Sequence, residues 1–271
     1  MRLERVFMVF ATNGIVTKVT GYGNSDKLLW IITEDKGRIP VMAKGVKTPT
    51  GKLTSLTGLF TYANFEIYKK NDSYWLKGGS IISSFYELTR DIRSLALATY
   101  LCDLANELTD ENLEENETLR MLLNSLHLIC KGQKSYKLIK GVFEFRAMCT
   151  SGYMPEISSC SYCDIFEGEL LYLDVAGGKL ICPDCLNKKN KRIPRISQEF
   201  EYTNYASAMC PLSGSTLAAL RYVAMSSFSK MFSFELTDES ELDLFASACE
   251  TYLLEHLGRG FDSLDFYNSV K

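Results

Sequence analysis

The chain of 271 residues has only two histidines, His127 and His256. Hydrolases that rely on an imidazole base therefore have little to work with. Both histidines fall in apolar periodic stretches and are expected as partly buried helix residues. Walker A, G-x-G-x-x-G and G-x-S-x-G signatures are missing as well. No window approaches the roughly 18 apolar residues that cross a bilayer. The apolar stretch 6–11 behind Arg2 and Arg5 is too short for a secretory core, and no small-residue cleavage pattern follows it. There is no internal repeat and no low-complexity linker. These absences lead to the expectation of a cytosolic chain in a reducing setting, without an enzyme's equipment.

Cysteine, by contrast, is plentiful and patterned. Four of the nine, Cys160, Cys163, Cys182 and Cys185, form a C-x2-C-x18-C-x2-C array. Two tight pairs can converge on one Zn²⁺ with four thiolates. Disulfides are a rival, although an odd cysteine count in a reducing compartment argues for metal. A C-x-x-C redox pair is a second rival, but two pairs at this spacing favour metal. Four protein ligands close the coordination shell and leave no position for a catalytic water, so the expected zinc is structural. Zinc deaminase chemistry needs H-x-E ahead of P-C-x-x-C, and Cys182-Pro183-Asp184-Cys185 has no such partner. Leu170 to Val175 followed by Gly177-Gly178 reads as a hairpin between the pairs. Cys102, Cys130, Cys149, Cys210 and Cys249 are expected as small buried hydrophobes in helices.

Apolar residues make up 46% of the chain, enough to core one large or two modest domains. Charge is split. Residues 1–80 carry 12 Lys+Arg against 6 Asp+Glu, and the remainder carries 18 against 27. A basic module followed by an acidic one suggests that the first meets a polyanion. A merely solvated, lysine-rich surface is the alternative.

Periodicity divides the chain at the same place. Strands are expected at 14–19, 28–33, 38–43, 60–68 and 74–80, the last two joined by the turn-like Lys70-Asn71-Asp72-Ser73. Five short strands in about 80 residues fit a small Greek-key barrel of the OB type, which binds nucleic acid with a charged groove and aromatic platforms. Lys18, Lys27, Arg38, Lys44, Lys47 and Lys52 supply the charge. Trp30, inside an apolar run, is expected in the core, and Tyr22, in a Gly-Tyr-Gly turn, is expected at the surface. Beyond residue 83 the apolar period becomes 3.6. Helices are expected at about 88–108, 119–129, 138–148, 215–231 and 240–257, with the zinc module interrupting at 155–190. The acidic run from Glu111 to Glu117 reads as a solvated loop and helix start. The fold class expected is α+β and multidomain: an OB-fold barrel over 1–82, a helical domain over 83–271, and a C4 zinc module inserted at 155–190.

This order of parts resembles the RecO family of bacterial recombination mediators. Gly14-Ile15-Val16 with Tyr22-Gly23-Asn24-Ser25-Asp26-Lys27-Leu28 is similar to the family's G-I-V…Y-G-E-S-D-K-L segment. Ala43-Lys44-Gly45-Val46-Lys47 is similar to its A-K-G-A-R run. Gly152-Tyr153-Met154-Pro155 leading to Cys160 resembles its G-Y-x-P…C-x-x-C passage, and His256-Leu257-Gly258-Arg259 its C-terminal signature. Two departures stand out. The segment from Val46 to Lys52 is less basic than the family's, and about ten extra residues precede Gly14, read as a frayed extension or an extra strand.

The resemblance implies a non-enzymatic DNA repair protein that binds single- and double-stranded DNA and anneals complementary strands. With the RecR protein it would help load RecA on DNA covered by single-strand-binding protein, in the bacterial cytoplasm at the nucleoid. It carries Cys160, Cys163, Cys182 and Cys185 over as metal ligands, and Arg38, Lys44 and Lys47 as basic barrel positions. The acidic tail of single-strand-binding protein would need a basic, apolar pocket, for which Arg221, Lys230 and Arg259 are candidates. A zinc-stabilised protein-interaction adaptor without a DNA role is the competing reading.

Overall fold

The computed structural model describes residues 8–46, 53–111, 116–192 and 208–271. Lys47 and Lys52 lie outside the described residues. Five N-terminal strands, β1 (Met8–Tyr22), β2 (Asp26–Thr33), β3 (Gly37–Ala43), β4 (Thr61–Lys70) and β5 (Ser73–Ser84), close into a barrel in the order β1-β2-β3-β5-β4. All pairs are antiparallel except β3 with β5, which run parallel through Val41–Tyr74 and Met42–Trp75. β1 serves two neighbours. Its first half, Met8 to Ile15, pairs with β4, and its second half, Gly14 to Tyr22, pairs with β2 across a bulge between Val16 and Lys18. A bulge sharpens strand bending, which lets one strand turn the corner. The residues from Met8 onward are thus neither frayed nor a separate strand; they lengthen β1.

Inside the barrel, Val16, Leu29, Ile31, Ile39, Val41, Phe65, Ile67 and Leu76 form one buried cluster. Trp30 is not among them. It lies between Leu29 and Ile31 on the outer face, half-buried beneath the Arg38 guanidinium at 5.2 Å. Its run, Leu28 to Ile32, is apolar throughout, so the two-residue period that points Trp30 outward is invisible in composition.

The chain divides into two compact units, residues 1–134 with 261–271, and residues 135–260. The first adds three helices to the strands: α1 (Ile92–Leu108), α2 (Asn116–Lys131) and α7 (Asp262–Val270). Compactness therefore groups these helices with the barrel, whereas the change of period at residue 83 marks only where the element type changes. Asp91 caps α1 by accepting from the Ser94 amide at 2.9 Å. Tyr100 packs edge-on against Phe261 ahead of α7. Glu111 pairs with Gly37 and Glu117 sits in the first turn of α2, where a carboxylate favours the helix dipole. The rest of the acidic run lies outside the described residues. His127 is exposed on α2, not partly buried.

The second unit combines α3 (Tyr136–Thr150), α4 (Pro183–Arg192), α5 (Gly214–Met225) and α6 (Glu239–Leu257) with a small sheet. That sheet orders β6 (Glu156–Cys160), β8 (Lys179–Ile181), β7 (Leu170–Asp174) and β9 (Met209–Ser213) side by side. The expected hairpin is β7–β8, turning at Gly178 in the left-handed region. β9 and α7 are elements that the periodicity does not announce. Cys210 lies on β9 rather than on a helix, and Cys130 and Cys149 are only half-buried. α5 stops at Met225 instead of 231 because Ser226, Ser227 and Ser229 follow, residues whose hydroxyls compete with helical backbone bonds.

α3 and α6 meet along a tight seam. Lys140, almost fully buried, contacts Glu144 at 2.7 Å and Glu250 at 2.6 Å. Gly141 allows the helices to close, since a Cβ there would stand 2.7 Å from Cε1 of the buried Phe245 ring. Helix propensity alone would make Gly141→Ala stabilising by up to about 1 kcal/mol. Here the overpacking wins, and we expect a net destabilisation of about 1–3 kcal/mol, read as a lower urea midpoint. Phe245→Leu in the same chain should restore part of it.

Candidate metal centre and nucleic-acid interface

The sequence-predicted cysteines do converge. Sulfurs of Cys160, Cys163, Cys182 and Cys185 all lie within 4.8 Å of one another, close enough to hold a metal ion. Cys160 closes β6 and enters a turn in which its amide donates to Ile165 O at 2.8 Å and its carbonyl accepts from Asp164 N at 2.9 Å. Asp164 adopts a left-handed φ of 60°, which folds the first pair back on itself. Ser161 N donates to Leu180 O at 2.9 Å, fixing this turn to β8. The second pair leaves β8 directly into α4, with Cys182 immediately before the helix and Cys185 on its first turn.

The electrostatics suit a cation. Burial alone would push the Cys160 thiol up, but backbone N–H groups of Cys182, Tyr162 and Cys163 aim at its sulfur and bring it down to about 7. One of these hydrogen bonds, from Cys182 N, is 3.3 Å long. Cys185 goes the other way: hydrogen bonding with Cys163, then burial, pushes it up to about 12. Four thiolates this close repel one another, and a divalent cation is what allows all four to ionise.

Arg221, a sequence candidate for a tail-binding pocket, has other work in the structure. From α5 its Nε donates to Ile157 O at 2.7 Å, and its Nη2 to Ser158 O at 2.6 Å and Phe166 O at 2.8 Å. The guanidinium also stacks 4.1 Å over the Phe166 ring. It therefore anchors the loop that carries the first cysteine pair. His256 is half-buried, as expected, with Nε2 3.0 Å from Val175 O and its ring against Tyr252.

In the barrel, pairing register sorts the basic residues. Tyr22 stands opposite Asp26, Lys27 opposite Ala43, Met42 beside Trp75, Lys69 opposite Met8 and Lys70 opposite Ser73. The β1–β2 turn, the end of β3 and the β4–β5 turn thus follow one another along one side of the barrel. Lys27, Lys44, Lys69 and Lys70 gather there with Tyr22, Tyr68, Tyr74 and Trp75. Lys44 Nζ lies 4.5 Å over the Trp75 ring, and Lys69 Nζ 5.1 Å over Tyr74. Tyr22 is 57% exposed. Asp26 is occupied by the Ser25 hydroxyl and the Gly45 amide, each at 3.0 Å, and so holds the turn beyond Lys44.

The β2–β3 turn has different chemistry. Glu34, Asp35, Asp110 and Glu111 lie there among Lys36 and Arg38. Arg38 donates to Asn106 O at the C-terminal turn of α1, and its backbone amide to Asp110 O at 3.2 Å. Its charge is thereby spent on a helix end rather than presented to a ligand. Lys18 is exposed on β1, opposite Trp30. Sequence reasoning missed Lys69, Lys70 and Trp75, although the signal was present: two lysines before the tight turn and Tyr-Trp just after it.

Comparison with known proteins agrees with this architecture. The family model described as "Recombination protein O N terminal" matches residues 8–85, and "Recombination protein O C terminal" matches residues 89–265. A DNA repair protein RecO of Acetivibrio thermocellus is 31% identical over 259 residues, covering 96% of both chains. Its namesake in Clostridium kluyveri is 30% identical, covering 88% of this chain and 85% of its own. That of Clostridium perfringens is 32% identical, covering 86% and 87%. With both halves matched and the four-cysteine cluster formed, the chain belongs to the RecO family of DNA repair proteins.

Proposed function

We propose that this chain is a non-enzymatic recombination mediator. It binds single- and double-stranded DNA without reading sequence, anneals complementary strands, and with RecR assists RecA loading on DNA covered by single-strand-binding protein. The observation that carries the DNA part is the alignment of Lys27, Lys44, Lys69 and Lys70 along one side of the barrel. Strand order β1-β2-β3-β5-β4 with a parallel β3–β5 closure supports an OB-type barrel, and residues 1–82 are its functional span. Lys18 extends the basic surface along β1. Lysines meet phosphates as point charges and carry no base information, so affinity should fall with salt. Annealing follows where the protein screens phosphate repulsion and leaves base edges free to pair. The cytoplasm is the compartment that this work requires, and no described helix is long and apolar enough to cross a membrane.

The metal is proposed to be structural zinc, held by all four cysteines of the 155–190 module in the helical region 83–271. A zinc–sulfur length of about 2.3 Å puts tetrahedral sulfurs about 3.8 Å apart, and Cys163 and Cys182 sulfurs stand 3.6 Å apart. Bound there, zinc supplies a cross-link and no reaction. RecR and the acidic tail of single-strand-binding protein are the proposed protein partners, with Lys230 and Arg259 the remaining basic candidates for the tail. An adaptor role has one supporting observation: Tyr162, Ile165 and Phe166 leave an apolar surface exposed around the first cysteine pair.

The primary test titrates the purified chain into labelled single-stranded DNA at two salt concentrations, with zinc measured on the same batch. Lys44→Glu with Lys69→Glu should weaken binding and flatten the log–log salt slope by about 0.7 for each phosphate that is no longer neutralised. Lys179→Glu, an exposed charge reversal on β8 of the second unit, should leave both unchanged. Binding indifferent to the first pair would place the interface elsewhere.

Metal removal gives a separate result. Structural zinc contributes roughly 10–16 kcal/mol of apparent binding energy in small modules. Cys182→Ser should therefore abolish metal content and expose 155–190 to protease, while salt-sensitive DNA binding survives. Disappearance of both together would end this division of labour.

A further inference from the structure

We propose that Tyr68 and Trp75 form a stacking step for one unpaired base of single-stranded nucleic acid, with Lys44 as the group that gives way to it. The inference rests on the barrel reading above and names the form of ligand that this side distinguishes. Tyr68 and Trp75 are direct cross-strand partners, and their rings stack with centroids 6.3 Å apart and planes 14° apart. Both point outward: Ile67, Tyr74 and Leu76 beside them face the core, and the two rings themselves stay half-buried. A stacked, outward-facing aromatic pair on a lysine-rich side has no core to fill.

Lys44 occupies the Trp75 face at 4.5 Å. An exposed cation–π contact is weaker than base–aromatic stacking, so a base arriving with its phosphate displaces the ammonium and gives it a better partner. Trp75 Nε1 is enclosed without a hydrogen-bond acceptor among the described residues, leaving a donor that a nucleotide oxygen can satisfy once Lys44 moves. Lys27, Lys69 and Lys70 lie along the same side to hold neighbouring phosphates. In a duplex both faces of an internal base are already stacked. Double-stranded DNA then meets only the lysines, and the two forms bind the same surface in different ways.

The chain has only two tryptophans, so Trp30→Phe leaves Trp75 as the sole indole and keeps a ring beneath Arg38. In that background we expect oligothymidine to quench tryptophan fluorescence, saturating with the binding seen by anisotropy. A blunt duplex of equal length should bind with little quenching. Trp75→Ala should weaken single-strand binding roughly 5- to 150-fold and leave duplex binding and the salt slope nearly unchanged. Trp75→Tyr, which keeps a ring and the fold, should recover most of the affinity. Equal weakening for both DNA forms, or single-strand binding without quenching, would overturn the stacking step while leaving the barrel as the DNA surface. No binding of either form at low salt would overturn the barrel reading and this inference with it.

Discussion

Side-chain alternation along the five barrel strands is the constraint on which the functional surface depends. Leu29, Ile31, Ile39, Val41, Phe65, Ile67 and Leu76 are all inward and buried. A one-residue slip of any pair would turn its apolar set to water, at about 1.5–3 kcal/mol for each large side chain exposed. The contact between Lys44 and Trp75 is worth about 0.5–1 kcal/mol at an exposed site. The core therefore decides where Lys44, Tyr68 and Trp75 point, and their mutual contacts merely follow. The bulge between Val16 and Lys18 belongs to the same constraint, because it allows β1 to satisfy both β4 and β2.

The cysteine cluster obeys a different constraint, the convergence of four anionic ligands. Backbone geometry does much of the work before any metal is considered. The Asp164 left-handed turn folds one pair, the entry into α4 presents the other, and the Ser161–Leu180 hydrogen bond sets their separation. Arg221 then holds three carbonyls of the loop from outside. A guanidinium suits this task because its planar fork meets several oxygens at once, which a lysine could not reproduce. Loosening of 155–190 on metal removal would thus be resisted on the β6 side and least opposed around the exposed Cys163.

Much of this was legible in the sequence, for reasons that can be named. The C-x2-C spacing encodes its own geometry, and the hairpin between the pairs followed from Leu170-to-Val175 alternation and a Gly-Gly turn. The barrel strands were readable because turns punctuate them, and α3 and α6 because their apolar stripes keep a 3.6 period. What could not be read depended on tertiary partners. Trp30 lies in a run with no polar residue to mark its outward face. Arg38 and Arg221 looked like ligand-binding charges because sequence shows a cation but not the carbonyls it will meet. β9 is five residues long, contains Pro211 and becomes a strand only by pairing with β7. The basic side of the barrel was half visible: Lys27 and Lys44 stand out in the sequence, yet only register brings Lys69 and Lys70 into line with them.

That register also sharpens what charge means for this chain. The N-terminal surplus of positive charge is not spread over the barrel. It runs along the side where two turns and the end of β3 follow one another, while Glu34, Asp35, Asp110 and Glu111 crowd around the β2–β3 turn. A strand of nucleic acid steered by such a field has one preferred landing place. The chemistry offered there also fits annealing. Lysines engage phosphates, and an aromatic ring engages the flat face of a base, so neither uses the hydrogen-bonding edge. A surface that read sequence through base edges would compete with the complementary strand for the same atoms. One that holds backbone and π-face leaves those edges presented, which is the arrangement a strand-pairing protein requires.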